Sequence, residues 1–381
     1  CSEAKTMFSE PPRISRPELP SGRRTIVISD IHGNLPYFKA LLEKISFSDR
    51  DLLILDGDFL EKGPDSLDTL RLIMKLSKRG NVFPILGNCD EWPVVFRRGK
   101  DGDAHMQHYL RKRRYGIVYE MLLRMGIDPV GTDNLSDIYP RMIETFPDEW
   151  AFLAALPHAV ETEHFIFVHA GLSGSVPLEQ NSSDELVSRD AFLREGQHFD
   201  KWVITGHWPV VLYHENIVCA NPIIDKEHHI IAIDGGCVLK DDGQLNAFVI
   251  PDLSCTDASA YSFTAYDSFA TSTVLNDQPG GSSSYYIRWG DSEVQVLERG
   301  EEFSRCRHVR TGYEMDILKK YLFEDAEITA CNDCTDYILP LKRGDIVSIV
   351  EETSRGTFVK HNGTSGWYYG NLQKKGCDGF A

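Results

Sequence analysis

Six short apolar stretches of this sequence are each followed by residues that bind metal ions in proteins. Because buried strands of an α/β sheet bring their carboxyl ends to one edge, we expect these side chains to converge on a single crevice. Carboxylate, amide and imidazole groups that meet there can bind metal ions. The pattern therefore predicts a metal-binding site. Its residues are Asp30, His32, Asp58, Asn88, His169, His207 and Asp234.

The elements that must position these residues follow from the hydrophobic pattern. Strand and helix patterns alternate over residues 25–90, which predicts a βαβαβ unit with a parallel sheet. Residues 103–157 carry long helical patterns and predict a helical insertion beside the crevice. Strand patterns resume at 164–169, 202–207 and 230–250. The fold class is thus α/β, with the candidate ligands at strand ends.

The composition changes after residue 250. Residues 251–284 are rich in Ser, Thr, Asp and Gly, which predicts a linker or loop. Residues 285–330 predict a short α+β extension, and residues 331–381 a small β-barrel module, because short strand patterns alternate there with Gly-containing turns. At the other end, residues 1–24 predict an extended N-terminal arm.

Charge and composition exclude several classes of function. The formal net charge of -17 argues against binding to a nucleic-acid backbone, which needs a basic surface. The basic run 111–114 is typical of a solvated helix face. The sequence contains no apolar run of about 18 residues, so it predicts no membrane span. Scattered cysteines, together with a start that lacks a secretory pattern, favour reduced thiols and a cytoplasmic location.

Five motifs in a fixed order resemble those of the calcineurin-like metallophosphoesterases. Within that superfamily they are most similar to the phosphoprotein phosphatase branch, which includes bacterial Ser/Thr phosphatases and symmetrical diadenosine tetraphosphatases. The resemblance covers residues 25–250 and implies a four-layer αββα sandwich with a helical insertion. The motifs are S-D-I-H-G-N at 29–34, G-D-F-L-E-K-G at 57–63, G-N-C-D at 87–90, V-H-A-G-L at 168–172 and G-H-W-P at 206–209.

The resemblance assigns ligands for two divalent metal ions. Carboxylate, amide and imidazole donors suit manganese, iron or zinc, and manganese is the expected ion. The resemblance further implies attack of a metal-bound hydroxide on phosphorus, with Lys62 and Arg189 holding the phosphoryl oxygens. The implied ligands are Asp30 and His32 at the first ion, Asp58 as the bridge, and Asn88, His169 and His207 at the second.

Two positions depart from the phosphoprotein phosphatase pattern. Glu61 and Lys62 stand where that branch has Asp-Arg, so a planar phosphate clamp becomes a point charge. Cys89 stands where the branch has the His that protonates the leaving oxygen, and a thiol is a poor proton donor to an alkoxide. Asp90, also a catalytic candidate, either orients a neighbour or caps the following helix.

These features predict a phosphoesterase whose substrates are phosphomonoesters, including phosphoproteins. Dinucleoside polyphosphates or phosphodiesters are the alternative, because good leaving groups suffer least from Cys89. A catalytically weak, metal-stabilised scaffold is a further alternative. The region 331–381 resembles a bacterial Src-homology-3-like module, which implies a peptide partner. Its C-x-x-C pair, Cys331 and Cys334, leaves a structural zinc open, with Cys306, His308 or Cys377 as further ligands.

Overall fold

The structure is a computed structural model that describes residues 11–96, 102–132 and 134–373. The chain divides into two compact units. The first comprises residues 1–209, 222–239 and 243–267, and the second comprises residues 210–221, 240–242 and 268–381. All the candidate site residues belong to the first unit. No helix among the described residues is long and apolar enough to cross a membrane.

Two mixed β-sheets form the centre of the first unit. One has the order β12-β11-β2-β3-β4, in which β2, β3 and β4 are parallel, and the other has the order β1-β5-β6-β7-β10-β9. Numbered along the whole chain, these strands are β1 (Ile14–Ser15), β2 (Thr25–Ile28), β3 (Leu52–Asp56), β4 (Val82–Ile85), β5 (Ala159–Glu161), β6 (Phe165–Val168), β7 (Trp202–Thr205), β9 (Ile223–Asp225), β10 (Ile230–Ala232), β11 (Leu245–Ile250) and β12 (Ser262–Tyr266).

The two sheets share one apolar core. Ile54 of β3 and Phe167 of β6 are fully buried in the same cluster. Because successive residues of a strand point to opposite faces, the neighbours of these residues face outward, and there they pack against helices. Leu53 and Leu55 belong to a second cluster with α-helical side chains, and Val168 belongs to a third. The predicted αββα sandwich is confirmed.

Helices cover the outer faces of these sheets. Four of them, α4 to α7, lie within the predicted insertion 103–157, apart from the first residue of α4, and their buried side chains join the same apolar cluster as those of α1 and α2. The helices are α1 (Leu35–Lys44), α2 (Ser66–Ser77), α3 (Asn88–Phe96), α4 (Gly102–Arg113), α5 (Ile117–Arg124), α6 (Leu135–Thr145), α7 (Pro147–Ala155) and α8 (Ser183–Ser188).

The second unit consists of antiparallel β-structure. Its sheets have the orders β13-β20-β21-β22-β8, β17-β16-β15-β18 and β14-β19. The strands are β8 (Val218–Cys219), β13 (Thr271–Thr273), β14 (Tyr286–Ile287), β15 (Glu293–Glu298), β16 (Phe303–His308), β17 (Glu314–Leu318), β18 (Ile328–Ala330), β19 (Cys334–Thr335), β20 (Ile346–Glu352), β21 (Thr357–His361) and β22 (Thr364–Tyr368).

Three predicted segments differ from the structure. Residues 251–284 are not a plain linker, because β12 pairs with β11 and β13 pairs with β20. Residues 285–330 contain strands and one 3-10 turn but no α-helix. In residues 331–373, strands β20, β21 and β22 form the middle of a five-stranded sheet. Both edge strands of that sheet, β8 and β13, come from earlier parts of the chain. Short strands of this kind depend on pairing with distant residues, which local composition does not encode.

The ends of the chain add two details. Residues 1–10 and 374–381 lie outside the described part, so Cys377 is not placed. Within the predicted N-terminal arm, β1 pairs with β5 in parallel. In the second unit, the sulfur atoms of Cys331 and Cys334 lie 4.0 Å apart. Among the described residues, no third His, Cys, Asp or Glu completes a metal-binding group with them.

Candidate metal centre

The loops that carry the candidate ligands have an unusual backbone. Non-glycine residues rarely adopt a positive φ, and each such residue costs on the order of 1–3 kcal/mol unless the surrounding fold enforces it. Here hydrogen bonds enforce it: Asp30 N donates to Gly57 O at 3.0 Å, and His32 N donates to Asp58 O at 2.9 Å. The backbone is therefore strained where the ligands converge. The values of φ are +54° at Asp30, +51° at His32, +49° at Asp58 and +65° at His207.

Two glycines allow these loops to approach each other closely. A Cβ atom at Gly87 would lie 2.2 Å from Oδ1 of Asp58, and one at Gly206 would lie 2.3 Å from Oδ2 of Asp30. Both distances are shorter than any real contact. Only glycine at these two positions lets the loops bring the carboxylates together.

Backbone carbonyl groups orient two of the imidazoles. Nδ1 of His169 donates to Asp56 O at 2.8 Å, and Nδ1 of His32 donates to Leu60 O at 3.3 Å. Both rings are buried. Since Nδ1 carries the proton, Nε2 of each ring keeps its lone pair for a metal ion, as is usual for metal-ligating histidines.

One group of candidate ligands surrounds His169. The ligand atoms of Asp58, His169 and His207 all lie within 4.8 Å of one another. Nε2 of His169 lies 3.3 Å from Oδ1 of Asp58. The carboxamide of Asn88 lies 3.3 Å from Nε2 of His169 and 3.0 Å from Nδ1 of His207. The four residues predicted at the second ion are thus brought together.

A second group shares Asp58. The ligand atoms of His32, Asp58 and Cys89 lie within 4.8 Å of one another. Asp30 is adjacent, with Oδ1 at 3.8 Å from Nε2 of His32, while its Oδ2 accepts from the backbone N–H of His207 at 3.0 Å. The structure therefore brings together all six predicted ligands and adds Cys89, which the sequence suggested only as a group near the leaving oxygen.

The electrostatics of the site fit cations. Burial raises the pKa of Asp30 well above its usual range, and the negative charge of Asp234 raises it further. Burial also opposes the charged form of Asp58, but the imidazole of His169, in its protonated form, holds the pKa of that carboxyl group far below its usual range. Burial lowers the pKa of His32 to about 4. Oδ1 of Asp30 and Nε2 of His32 are buried and form no hydrogen bond with described residues, so a metal ion would satisfy them.

The two predicted phosphate-binding residues border this cluster. Lys62 forms no hydrogen bond or ion pair with described residues. Burial has the largest effect on the pKa of His32, the charge of Asp58 the second largest, and the positive charge of Lys62, which lowers that pKa, the third. Nε of Arg189 donates to Oε1 of Glu195 at 2.7 Å. Its Nη1 is buried without a hydrogen-bond partner in the described chain. Both cations thus retain donors for an anion.

Asp90 connects two of the loops that carry candidate ligands. Its Oδ1 accepts from Leu60 N and its Oδ2 accepts from Gly87 N, each at 3.0 Å. Both oxygens therefore tie the loop after β3 to the loop after β4. The carboxylate is fully buried, so it orients the backbone beside Cys89.

Three contacts depend on the fold and were not predicted from the sequence. Tyr109 of α4 donates to Oε2 of Glu61 at 2.7 Å, and Ile117 N of α5 donates to its Oε1 at 2.8 Å. Oδ1 of Asp190 lies 3.3 Å from Nε2 of His207. The sequence shows that Asp190 follows Arg189, but only the fold shows that Asp190 contacts His207 and that Glu61 contacts Tyr109.

An α/β sandwich that brings Asp, Asn and His residues together at its strand ends defines a metal-dependent phosphoesterase. A family model described as calcineurin-like phosphoesterase matches residues 23–234. The chain belongs to this family, and it is accordingly a hydrolase that uses divalent metal ions.

Relatives of known name include several tetraphosphatases. The symmetrical bis(5'-nucleosyl)-tetraphosphatase of Aliivibrio fischeri is 26% identical over 261 residues, which cover 56% of this chain and 91% of that protein. The asymmetrical enzyme PrpE of Oceanobacillus iheyensis is 23% identical over 276 residues, 66% of this chain and 98% of that protein. The symmetrical bis(5'-nucleosyl)-tetraphosphatase of Wigglesworthia glossinidia brevipalpis is 48% identical over only 63 residues, which cover 16% of this chain and 22% of that protein.

The solved structures that match part of this chain include a phosphatase and a metallophosphoesterase. A serine/threonine phosphatase of Saccharomyces cerevisiae has a TM-score of 0.43 at 12% identity, over 68% of this chain and 85% of that one. A metallophosphoesterase of Sphaerobacter thermophilus has a TM-score of 0.38 at 16% identity, over 64% of this chain and 88% of that one.

Proposed function

We propose that this protein hydrolyses the phosphoanhydride bonds of dinucleoside polyphosphates in a reaction that depends on two divalent metal ions. The observation that carries the proposal is the environment of Cys89, at the position where phosphatases of the similar branch keep a proton-donating His. The names of the relatives matched over nearly their whole lengths support the same substrate class.

The Cys89 thiol is unsuited to protonate a leaving group. It is buried, and burial together with the charge of Asp58 raises its pKa well above the usual range. An alkoxide leaving group, as in a phosphoserine, needs a proton in the transition state. A nucleotide leaves through a phosphate oxygen, which is stable as an anion near neutral pH because the second phosphate pKa is about 6. Anhydrides therefore lose least from the absence of an acid.

The chain's own residues divide the remaining work. Bound cations would supply charge neutralisation and an activated water. Lys62 and Nη1 of Arg189 would bind phosphoryl oxygens. The hydrogen bonds to Asp56 O and Leu60 O would keep the imidazoles of His169 and His32 in position. The metal ions, with manganese as the expected species, would be held by Asp30, His32, Asp58, Asn88, His169 and His207.

Phosphomonoester hydrolysis, the first prediction from the sequence, has support only at the level of the family. A peptide partner for the region 331–381 and a cytoplasmic location also stay predictions. In that region Trp367 and Tyr368 are buried, and Trp367 Nε1 donates to Thr335 O at 2.8 Å. Tyr369, with 53% of its surface exposed, remains available to a peptide.

The test compares four substrates with manganese-loaded protein. These are diadenosine tetraphosphate, p-nitrophenyl phosphate, bis-p-nitrophenyl phosphate and a phosphoserine peptide. We expect the highest kcat/KM on diadenosine tetraphosphate, and loss of all turnover in Asp58→Asn but not in Asp137→Asn, which changes an exposed carboxylate on α6. A preference for the phosphoserine peptide would reject the proposal. Inactivity on all four with metal bound would favour the scaffold alternative.

A further inference from the structure

We infer that Cys89 is itself a metal ligand, binding the first ion as a thiolate together with His32 and Asp58. This inference rests on the metal-dependent function proposed above and deepens it, because it changes which metal the first position prefers. In the described chain, these three residues form one of the two groups whose ligand atoms all lie within 4.8 Å of one another. Protein ligands of a zinc ion lie about 2.0–2.3 Å from it, so donors this close together can share one ion.

The surroundings of Cys89 direct its side chain to the ion position. Its backbone N–H donates to Oδ1 of Asp58 at 2.8 Å, which ties the residue to the shared carboxylate. Its sulfur lies 3.8 Å from the carboxamide group of Asn88, and its thiol also contacts the carboxylate of Asp58. Nε2 of His32 points into the same space and forms no hydrogen bond with any described residue, although His32 is only 1% exposed. A buried, unpaired imidazole nitrogen next to a thiol is satisfied by a shared cation.

The same burial argues against a role in proton transfer. Only 5% of Cys89 is exposed, so the thiol has little access to the water that would return its proton after each turnover. Coordination needs no such access. The sulfur–hydrogen bond breaks once, when the ion binds, the proton passes to solvent, and a sulfur–metal bond forms.

A thiolate changes the metal preference of the site. Oxygen and imidazole donors accept manganese, whereas a soft sulfur donor selects zinc, iron or cobalt over manganese. The second position, formed by Asn88, His169 and His207 with Asp58, has no sulfur donor. We therefore expect two unlike positions, with the softer ion bound at Cys89 and His32.

Cobalt(II) titration of the metal-free protein tests this directly. Thiolate ligation produces a near-ultraviolet sulfur-to-cobalt charge-transfer band, which oxygen and imidazole ligands do not. We expect the band in the wild type, its loss in Cys89→Ser, and its retention in Cys334→Ser. The Cys334→Ser control is needed because Cys331 and Cys334 lie 4.0 Å apart in the second unit and could bind cobalt. A band that survives in Cys89→Ser, or that disappears in Cys334→Ser, would overturn the inference.

Competition between zinc and manganese gives a second readout. We expect Cys89→Ser to reduce the preference for zinc over manganese at the tighter position by at least about 10-fold, the usual scale for perturbing a metal site. Cys89→Ala, which removes every donor atom of the side chain, should do the same and replaces Cys89→Ser if circular dichroism shows that variant unfolded. An unchanged preference in a folded variant would contradict ligation.

The outcome is separable from that of the proposed function. Hydrolysis of diadenosine tetraphosphate by the wild type without a charge-transfer band would reject the thiolate ligand and leave the function standing. A Cys89-dependent band in a protein that cleaves none of the four substrates would support the thiolate ligand and reject the proposed function.

Discussion

At the scale of single residues, the imidazole of His207 has contacts on both nitrogens. Nδ1 faces Asn88 at 3.0 Å, and Nε2 lies 3.3 Å from Oδ1 of Asp190. A carboxylate on the outer nitrogen of a ligating histidine fixes its tautomer and ring orientation and increases its basicity. Asp190 is therefore a positioning residue for the candidate metal centre.

We predict that Asp190→Asn lowers the affinity for the metal by about 10-fold to 100-fold without unfolding the protein, because outer partners of ligands commonly contribute that much. Competition with a fluorescent chelator measures the affinity, and the exposed substitution Asp137→Asn provides the control. Equal affinities of Asp190→Asn and the control would show that the His207 ring needs no support from this carboxylate.

The site also shows what single residues reveal in a sequence. The convergence of the six candidate ligands was predictable because each follows an apolar strand, and strand ends of a parallel sheet meet. The sequence placed Cys89 beside Asn88, but its proximity to His32 and Asp58 became apparent only in the fold. Tyr109 could not have been predicted, because nothing in its own segment indicates a partner at Glu61.

At the scale of elements, Glu61 joins the loop after β3 to two helices of the insertion. Its oxygens accept from Tyr109 of α4 and from the first residue of α5. Burial raises the pKa of Glu61 to about 7 despite these hydrogen bonds; the charge of Glu120 raises it further and that of Lys62 lowers it. The loop that carries Lys62 is thus held by a carboxyl group that is partly protonated near neutral pH.

The sign of the resulting pH dependence follows from the direction of this shift. The folded protein holds the Glu61 proton more tightly than the unfolded chain, where the pKa is near its ordinary value of 4.5. The associated stabilisation is complete below about pH 4.5 and is lost as the pH rises through about 7. We expect the free energy of unfolding of the wild type to fall by up to about 3 kcal/mol relative to Glu61→Gln over this range.

Urea unfolding at several pH values, in the presence of a chelator, measures this difference. Asp56 and Glu120 also have pKa values raised to about 7 by burial. Most of their contribution is common to both proteins, so the comparison isolates Glu61 together with its charge interaction with Glu120. Parallel pH profiles for the wild type and Glu61→Gln would mean that the carboxyl group is not protonated on folding.

Elements differed in how well the sequence predicted them. Strands β2 and β3 are runs of Val, Ile and Leu that are buried on both faces, and such runs are typical of parallel sheets. Strands β12 and β13 lie in a Ser- and Thr-rich segment and contain no buried residue. Their strand conformation comes from pairing with β11 and β20, so composition alone indicated a linker.

At the scale of the whole molecule, the second unit is assembled from separate stretches of chain. Strand β8 pairs with β22, and Val218 of β8 is only 3% exposed. Nζ of Lys360, itself 3% exposed, donates to Asp242 O at 2.7 Å. The unit therefore depends on residues 210–221 and 240–242, which the sequence had assigned to the catalytic domain.

We predict that residues 268–381 expressed alone do not fold to the stability of the second unit in the full chain. The fragment lacks β8 and the hydrogen bond from Lys360 to Asp242 O, and one intramolecular hydrogen bond contributes about 0.5–1.5 kcal/mol. Thermal unfolding monitored by circular dichroism, compared with the full chain, tests this. A cooperative transition of the fragment at the temperature seen in the full chain would contradict the expectation.

The net charge of -17 sets the long-range field that an anionic substrate meets. Salt screens such a field, since the Debye length falls to about 10 Å at 0.1 M. If net repulsion governs the encounter, kcat/KM for diadenosine tetraphosphate should rise about 3-fold between low and physiological salt at saturating manganese. Bis-p-nitrophenyl phosphate carries less charge and should respond less. A decrease of kcat/KM with salt would instead mean that a local positive field, including the exposed basic run 111–114 at the end of α4, outweighs the net charge.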